Sequence, residues 1–348
     1  MNKTLVILFS INIVTSQPVL EEFYYGDVDR QYYLYIPTTI EPGSPLVFVL
    51  HGFTSSAENI MEYSGMNEIA ETNGFAVCYP QGTTDNNGNT FFNVGYSFHW
   101  NQTVDDVGFI TALAEHLQAH YNLSTINTFS TGMSNGGEMS YLLACEFPNY
   151  FRAVAPVAGT MMESWYNTCN PEYPTPIFEI HGTNDNVTWW EGDPQDLGGW
   201  GPYVGIDDII QLWRNINLTE SVVHDTLLDI NQADGSYVAT EKYHDGVDDN
   251  EVWLFKVIGG GHDWPGAFGN MDINASELVW EFFDRFSTSY TIGDVDYDGH
   301  ININDILFIS NAIDDELSYN FLFDYNDDNA INENDIYSII ATIFELGL

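Results

Sequence analysis

The segment Thr131-Gly132-Met133-Ser134-Asn135-Gly136-Gly137 constrains the fold of this chain more than any other. It follows a strand-like run at 126–130 and leads into a helical run at 138–146. A serine flanked by glycines at such a junction marks a sharp strand-to-helix turn. Glycines at 132 and 136 let the strand and the helix approach closely, which leaves the serine hydroxyl exposed at the end of a sheet.

Two later residues complete a nucleophilic set. Asp185 stands in Ile180-His181-Gly182-Thr183-Asn184-Asp185, and His262 in Gly259-Gly260-Gly261-His262-Asp263-Trp264-Pro265-Gly266. Each follows an apolar, strand-like segment, at 176–180 and 252–258. A serine hydroxyl is a weak nucleophile at neutral pH, so an imidazole must take its proton during attack. A carboxylate then holds the imidazole tautomer and stabilises the imidazolium. The chain order Ser134, Asp185, His262 is that of the α/β-hydrolases.

Other polar residues have simpler readings. Asp263 neighbours His262 and reads as a loop residue. Asp105 and Asp106 open a helical run, where carboxylates suit unpaired N–H groups and the positive end of the dipole. His181 at a strand end reads as a hydrogen-bonded structural residue. His51-Gly52 ends the apolar run 46–50, where an oxyanion-binding loop follows an early strand. There the main-chain N–H of Phe53 would face the same point as that of Asn135.

Several blocks together carry a family resemblance. Leu50-His51-Gly52, Tyr79-Pro80-Gln81-Gly82, Asp105-Asp106-Val107-Gly108, Gly132-Met133-Ser134-Asn135-Gly136-Gly137, His181-Gly182-Thr183-Asn184-Asp185 and Gly260-Gly261-His262-Asp263-Trp264-Pro265-Gly266 occur in one order over roughly 24–286. In this the chain resembles the secreted polyhydroxybutyrate depolymerase and feruloyl esterase family. The resemblance implies an extracellular α/β-hydrolase that cuts esters on or within polymers, with no cofactor for catalysis. Phe53-Thr54 stands where many relatives carry a cysteine, which affects the acyl-pocket shape but not a main-chain oxyanion role.

Composition agrees with a secreted domain. Residues 1–16 combine one Lys, a short apolar stretch and small polar residues, as in a signal peptide. With 51 acidic against 7 basic residues, the surface repels nucleic acid and anionic membranes, which excludes both as partners. Three cysteines are too few for a disulfide framework. Cys78 reads as a buried thiol, and Cys145 and Cys169 are the two that an oxidising compartment would let pair.

Strand patterns at 32–36, 46–50, 75–79, 128–131, 153–157, 177–180 and 252–255 alternate with helical ones at 61–72, 107–121, 136–146, 206–216 and 275–286. This alternation predicts an α/β fold, a mostly parallel central sheet covered on both faces, over 17–286. Its site then lies at the carboxyl ends of the strands. Trp189, Trp190 and Trp264 flank the acid and histidine loops and are the candidate substrate-binding aromatics, with Trp200 beside them.

After a polar linker at 287–293 the composition changes, and residues 294–348 contain no Lys or Arg. Asp294, Asp296, Asp298, Asn302 and Asp305 repeat as Asp324, Asn326, Asp328, Asn332 and Asp335. Offsets 1, 3, 5, 9 and 12 are those of an EF-hand calcium loop, with the carbonyls of His300 and Ala330 at position 7. Each loop runs into an amphipathic helix, at 306–312 and 336–344. Asp at position 12, with no helix leading into either loop, resembles a dockerin. That resemblance implies a small all-α module with structural calcium and a cohesin or surface-scaffold partner. Ile303-Asn304 and Glu333-Asn334 depart from the Ser-Thr pairs of cellulosomal dockerins, so a calcium-stabilised terminal module is the alternative. Two functions follow for the whole chain, a secreted serine esterase or a non-catalytic polymer-binding scaffold. Feruloylated or acetylated xylan, polyhydroxyalkanoate and aromatic polyesters all remain open as ester substrates.

Overall fold

The computed structural model describes residues 16–148, 150–288, 292–295, 301–314, 323–326, 328 and 330–346. The expected signal peptide falls almost wholly outside them, as do the ligand positions Asp296, Asp298 and His300.

The first half opens with an antiparallel pair, β1 (Val19–Tyr25) and β2 (Val28–Tyr35), followed by β3 (Leu46–Leu50), helices α1 (Ala57–Ser64) and α2 (Met66–Asn73), and β4 (Ala76–Pro80). A small hairpin of β5 (Thr83–Thr84) and β6 (Thr90–Phe91) precedes α3 (Asp106–Tyr121), β7 (Thr128–Met133), α4 (Asn135–Glu146) and β8 (Ala153–Val157). Then come α5 (Glu163–Tyr166), β9 (Ile177–Gly182), α6 (Ile206–Asn217), β10 (Ser221–Thr226), β11 (Tyr237–His244), β12 (Val252–Ile258) and α7 (Ala275–Phe286). The tail carries α8 (Ile303–Asp314) and α9 (Glu333–Leu346).

The main sheet has the order β1-β2-β4-β3-β7-β8-β9-β12-β11-β10. Its centre, from β4 to β12, is parallel. The strands at both edges are antiparallel. Strand alternation explains the two layers of core. Leu46, Phe48 and Leu50 of β3 join one buried cluster with residues of α3, α4 and α6. Val47 and Val49 join the other, with residues of α1, α2 and α7. Both faces are thus covered, and the continuous apolar run of β3 is what a doubly covered parallel strand requires.

Two sequence expectations are corrected here. The single helix expected at 61–72 is two helices, because Gly65 adopts φ 62° and ψ 20°, the left-handed conformation that caps α1 and starts α2. The strands β1, β10 and β11 lie outside the expected set. β10 is exposed along its whole length, so it carries no alternating pattern to read.

Asp105 caps α3 by accepting from the N–H of Gly108 at 2.8 Å. Asp106 does more than start that helix, because its buried carboxylate pairs with the buried Arg30 at 2.5 Å and accepts from the N–H of Asn93. Cys145 at the end of α4 and Cys169 form a disulfide, and Cys78 is a buried free thiol. Among the described residues, no helix is long and apolar enough to cross a membrane.

In the tail, α8 and α9 pack around Ile309, Ile339 and Val295. Ile303, Leu307, Phe308, Tyr337 and Phe344 remain exposed on these two helices.

Candidate active site

Ser134 sits between β7 and α4 with φ 57° and ψ −120°. A non-glycine residue reaches such a backbone only where its surroundings impose it. Here the imposition is the contact of α4 with β3: a Cβ added to Gly136 would lie 2.1 Å from the carbonyl oxygen of Leu50. Any side chain there would push the helix away from the sheet. The N–H of Ser134 is held by the carbonyl of Val157 at 2.9 Å, which fixes the turn to β8.

The acid and the histidine follow β9 and β12, which are parallel neighbours. Their loops are tied together. Asn184 donates its N–H to the carbonyl of Gly260 at 2.9 Å, and Gly259 donates its N–H to Thr183 Oγ1 at 2.9 Å. His262 Nδ1 then donates to Asp185 Oδ2 at 2.6 Å. The other carboxylate oxygen, Oδ1, accepts the N–H groups of Val187 and Thr188, both at 2.8 Å. The carboxylate is buried and its direction is set before any substrate arrives. No hydrogen bond links Ser134 Oγ to His262 among the described residues. The structure therefore joins the acid to the histidine and sets the serine at the same end of the parallel strands.

Below this pair lies a second buried layer. His181 Nδ1 donates to Glu179 Oε1 at 2.9 Å, Nε2 donates to the carbonyl of Thr188 at 2.9 Å, and Nε2 also lies 3.6 Å from Asp185 Oδ2. Burial alone would lower the imidazole pKa. Acceptors on both ring nitrogens and the charges of Glu179 and Asp185 outweigh it, and the net direction is up. Burial raises Glu179 to about 6, and Tyr141 donates to its Oε2. His181 is thus a buried support for the acid loop.

His51 is wholly buried. Its Nδ1 donates to the carbonyl of Gly52 at 2.8 Å, and Nε2 accepts from the N–H of Gly82 at 3.0 Å. That acceptor role needs neutral imidazole, and burial pushes its pKa down to about 4. The ring fixes the Gly52 peptide, whose N–H belongs to Phe53. A Cβ placed on Gly52 would lie 4.0 Å from Ser134 Oγ, so this loop borders the serine. The N–H groups of Phe53 and Asn135 are not engaged by another backbone group among the described residues. The Asn135 side chain clasps the backbone of Phe92 instead, accepting at 2.7 Å and donating at 3.0 Å.

One of the aromatic expectations needs correction. Trp264 is 1% exposed in the core beneath α7, with its Nε1 donating to Ser276 Oγ. It cannot touch substrate. Trp189 and Trp190 are half-buried: Trp189 Nε1 bonds the carbonyl of Asn186, and Trp190 packs on the core with Nε1 on Asp207. The cleft at Ser134 is lined by Tyr96, Trp200 and Tyr203, with Glu138 and the acid-loop residues Val187 and Thr188. Glu138 and Tyr96 escaped the sequence reading. The available signal was a carboxylate four residues after the serine, on the first turn of a helix buried from Asn135 to Ala144. Tyr96 donates to Glu138 Oε2 at 2.5 Å, and burial raises the Glu138 pKa to about 7.

In the tail, the position-12 carboxylates act alike. Asp305 accepts the N–H groups of Val295 and Asn302, and Asp335 those of Asn326 and Asn332. Asp324 and Asp335 are buried, and Asn326 Oδ1 is shielded from solvent with no hydrogen-bond partner among the described residues. Among the described residues, no three His, Cys, Asp or Glu side chains converge in metal-holding geometry. The donor set, carboxylates and carboxamides with the unsatisfied Asn326 oxygen, fits a hard cation such as calcium.

The family model described as esterase PHB depolymerase matches residues 30–169, a range that contains Phe53 and Ser134 and ends before Asp185. The bifunctional acetylxylan esterase/xylanase of Neocallimastix patriciarum is 28% identical over 45% of this chain and 22% of its own length. The poly(3-hydroxyalkanoate) depolymerase C of Paucimonas lemoignei is 27% identical over 53% of this chain and 43% of its own. Feruloyl esterase C of Emericella nidulans is 30% identical over 47% and 57%. The chain therefore spans less than two thirds of each of these relatives, all of which carry ester-hydrolase names. The solved structure of an acetyl xylan esterase from Aspergillus awamori superposes with a TM-score of 0.54 at 16% identity, covering 77% of this chain and 100% of that one. The two share an α/β-hydrolase type of fold.

Proposed function

We propose that this chain is a secreted serine carboxylic-ester hydrolase acting on polymer-linked esters. The observation that carries the reading is the 2.6 Å hydrogen bond between His262 and Asp185 at the strand end where Ser134 stands on its strained turn. Ser134 attacks the ester carbonyl, and His262 takes its proton and returns it to the leaving alcohol. Asp185 keeps His262 in the tautomer whose Nε2 accepts. The N–H groups of Phe53 and Asn135 stabilise the oxyanion, each worth on the order of 3 kcal/mol in sites of this kind. The names of the relatives support an ester as the bond cut. A non-catalytic scaffold, binding through aromatics such as Trp189, Trp190 and Trp200, has less support, because it would leave the hydrogen-bonded His262 and Asp185 without a use.

Ser134→Ala should lower kcat by about 10⁶-fold on p-nitrophenyl acetate and abolish labelling by a serine-directed phosphonate. Retention of more than a thousandth of wild-type turnover, or labelling elsewhere, would sink the assignment.

In the tail, the loop ligands Asp294, Asp296, Asp298, Asn302 and Asp305, and Asp324, Asn326, Asp328, Asn332 and Asp335, with the carbonyls of His300 and Ala330, would hold calcium. The ion would supply charge balance for carboxylates that otherwise repel. The exposed apolar side chains on α8 and α9 support a protein partner of the cohesin type for this module.

A further inference from the structure

The cleft at Ser134 is small and nearly closed. Tyr96, Glu138, Thr188 and Tyr203, which line it with Val187 and Trp200, are each 5% exposed or less. The space open to the centre of a water molecule is about 10 Å³, room for a single water-sized group. Its walls are fixed. Tyr96 is anchored by its hydroxyl on Glu138, and Tyr203 by accepting the N–H of Trp189 at 3.0 Å. The Trp200 carbonyl is held by the N–H of Ser97 at 2.9 Å. The Trp200 ring packs on Tyr96, Phe53 and Phe98 at centroid distances of 5.2, 5.5 and 5.7 Å.

We propose that Trp200 and Tyr96, with Glu138 as the positioning residue that anchors Tyr96, form a dead-end acyl pocket limiting this site to terminal acyl groups of about two carbons. The inference rests on the esterase reading and narrows its substrate class. A methyl group fits a one-water cavity. An aromatic acyl group does not, and neither does a polyester chain, which continues on both sides of the scissile bond and needs an open path for each. The alcohol side, left outside the pocket, is free to be part of a polymer.

The test is kcat/KM for p-nitrophenyl acetate, butyrate and octanoate and for methyl ferulate, each normalised to its spontaneous hydrolysis, for the full wild-type chain and for W200A and W200F. The proposal expects acetate to exceed octanoate and ferulate by at least ~100-fold. It also expects W200A to raise the octanoate-to-acetate ratio at least ~10-fold, with W200F between. Wild-type turnover of octanoate or ferulate within tenfold of acetate overturns the pocket assignment, and that arm needs no variant. An unmoved ratio in W200A whose circular dichroism matches wild type overturns it as well. If no ester, acetate included, is hydrolysed, the esterase reading itself fails, an outcome distinct from loss of acyl selectivity.

Discussion

Replacing Glu138 with Gln should stabilise the catalytic domain, and the gain should grow with pH. The carboxyl is buried against Tyr96, and burial raises its pKa from the ordinary 4.5 to about 7. A raised carboxyl value means that, between these limits, the folded state holds a proton the unfolded state has released. Stability from this group is therefore fully present below pH 4.5 and is lost as pH rises to 7. At 1.36 kcal/mol per pH unit, the loss is about 1 kcal/mol at pH 5 and about 3 kcal/mol at pH 8. Gln has nearly the same shape, keeps an oxygen that accepts from Tyr96, and does not titrate. Urea unfolding followed by tryptophan fluorescence, wild type against E138Q at each pH, cancels the background of a chain with net charge −44. With a urea slope of about 2–3 kcal/mol per molar, the midpoint advantage of E138Q should be roughly 1 M larger at pH 8 than at pH 5. An advantage that is the same at both values would refute the buried, proton-holding carboxyl.

The disulfide Cys145–Cys169 closes a 24-residue separation, and replacing both cysteines by Ser should cost about 3 kcal/mol of unfolding free energy in urea; a loss under 1 kcal/mol would mean that the unfolded chain is not restrained by it. Chelating calcium should reduce the helical circular dichroism of α8 and α9 while p-nitrophenyl acetate hydrolysis changes less than twofold, since Ser134, Asp185 and His262 all precede the tail; hydrolysis lost in step with helix content would contradict that independence.

The parts of this fold legible in the sequence are those set by local pattern. β3 and β8 fall at the expected residues because an apolar run buried on both faces has no other use. α7 falls at 275–286, as its amphipathic pattern indicates, and the structure adds a cap from the Asn274 side chain. Ser134 could be read because the glycines that permit its turn are themselves part of the chain pattern. Gly65 was less legible: a glycine inside a helical run either is tolerated or breaks it, and only the packing of α1 and α2 decides. β1 and β10 were not legible, because an edge strand needs a neighbour more than a pattern. Trp264 shows the opposite failure. Its place beside His262 in sequence suggested contact with substrate, but its side chain turns into the core beneath α7.

Glu138 and Tyr96 lie 42 residues apart, so no spacing rule joins them, and each alone looks ordinary. Their meeting is a consequence of the topology. β7 delivers the serine to the start of α4, and the first turn of α4 carries Glu138 down beside it. Asn135 meanwhile clasps Phe92 and holds the segment leading to Tyr96 against the same helix end. A carboxylate on that turn would be costly in an apolar wall unless a donor faced it, and the Tyr96 hydroxyl is that donor. The residues that make the nucleophile recur as a motif because their geometry is local. The residues that shape its pocket come from three separate segments, and they become visible only when the chain has folded.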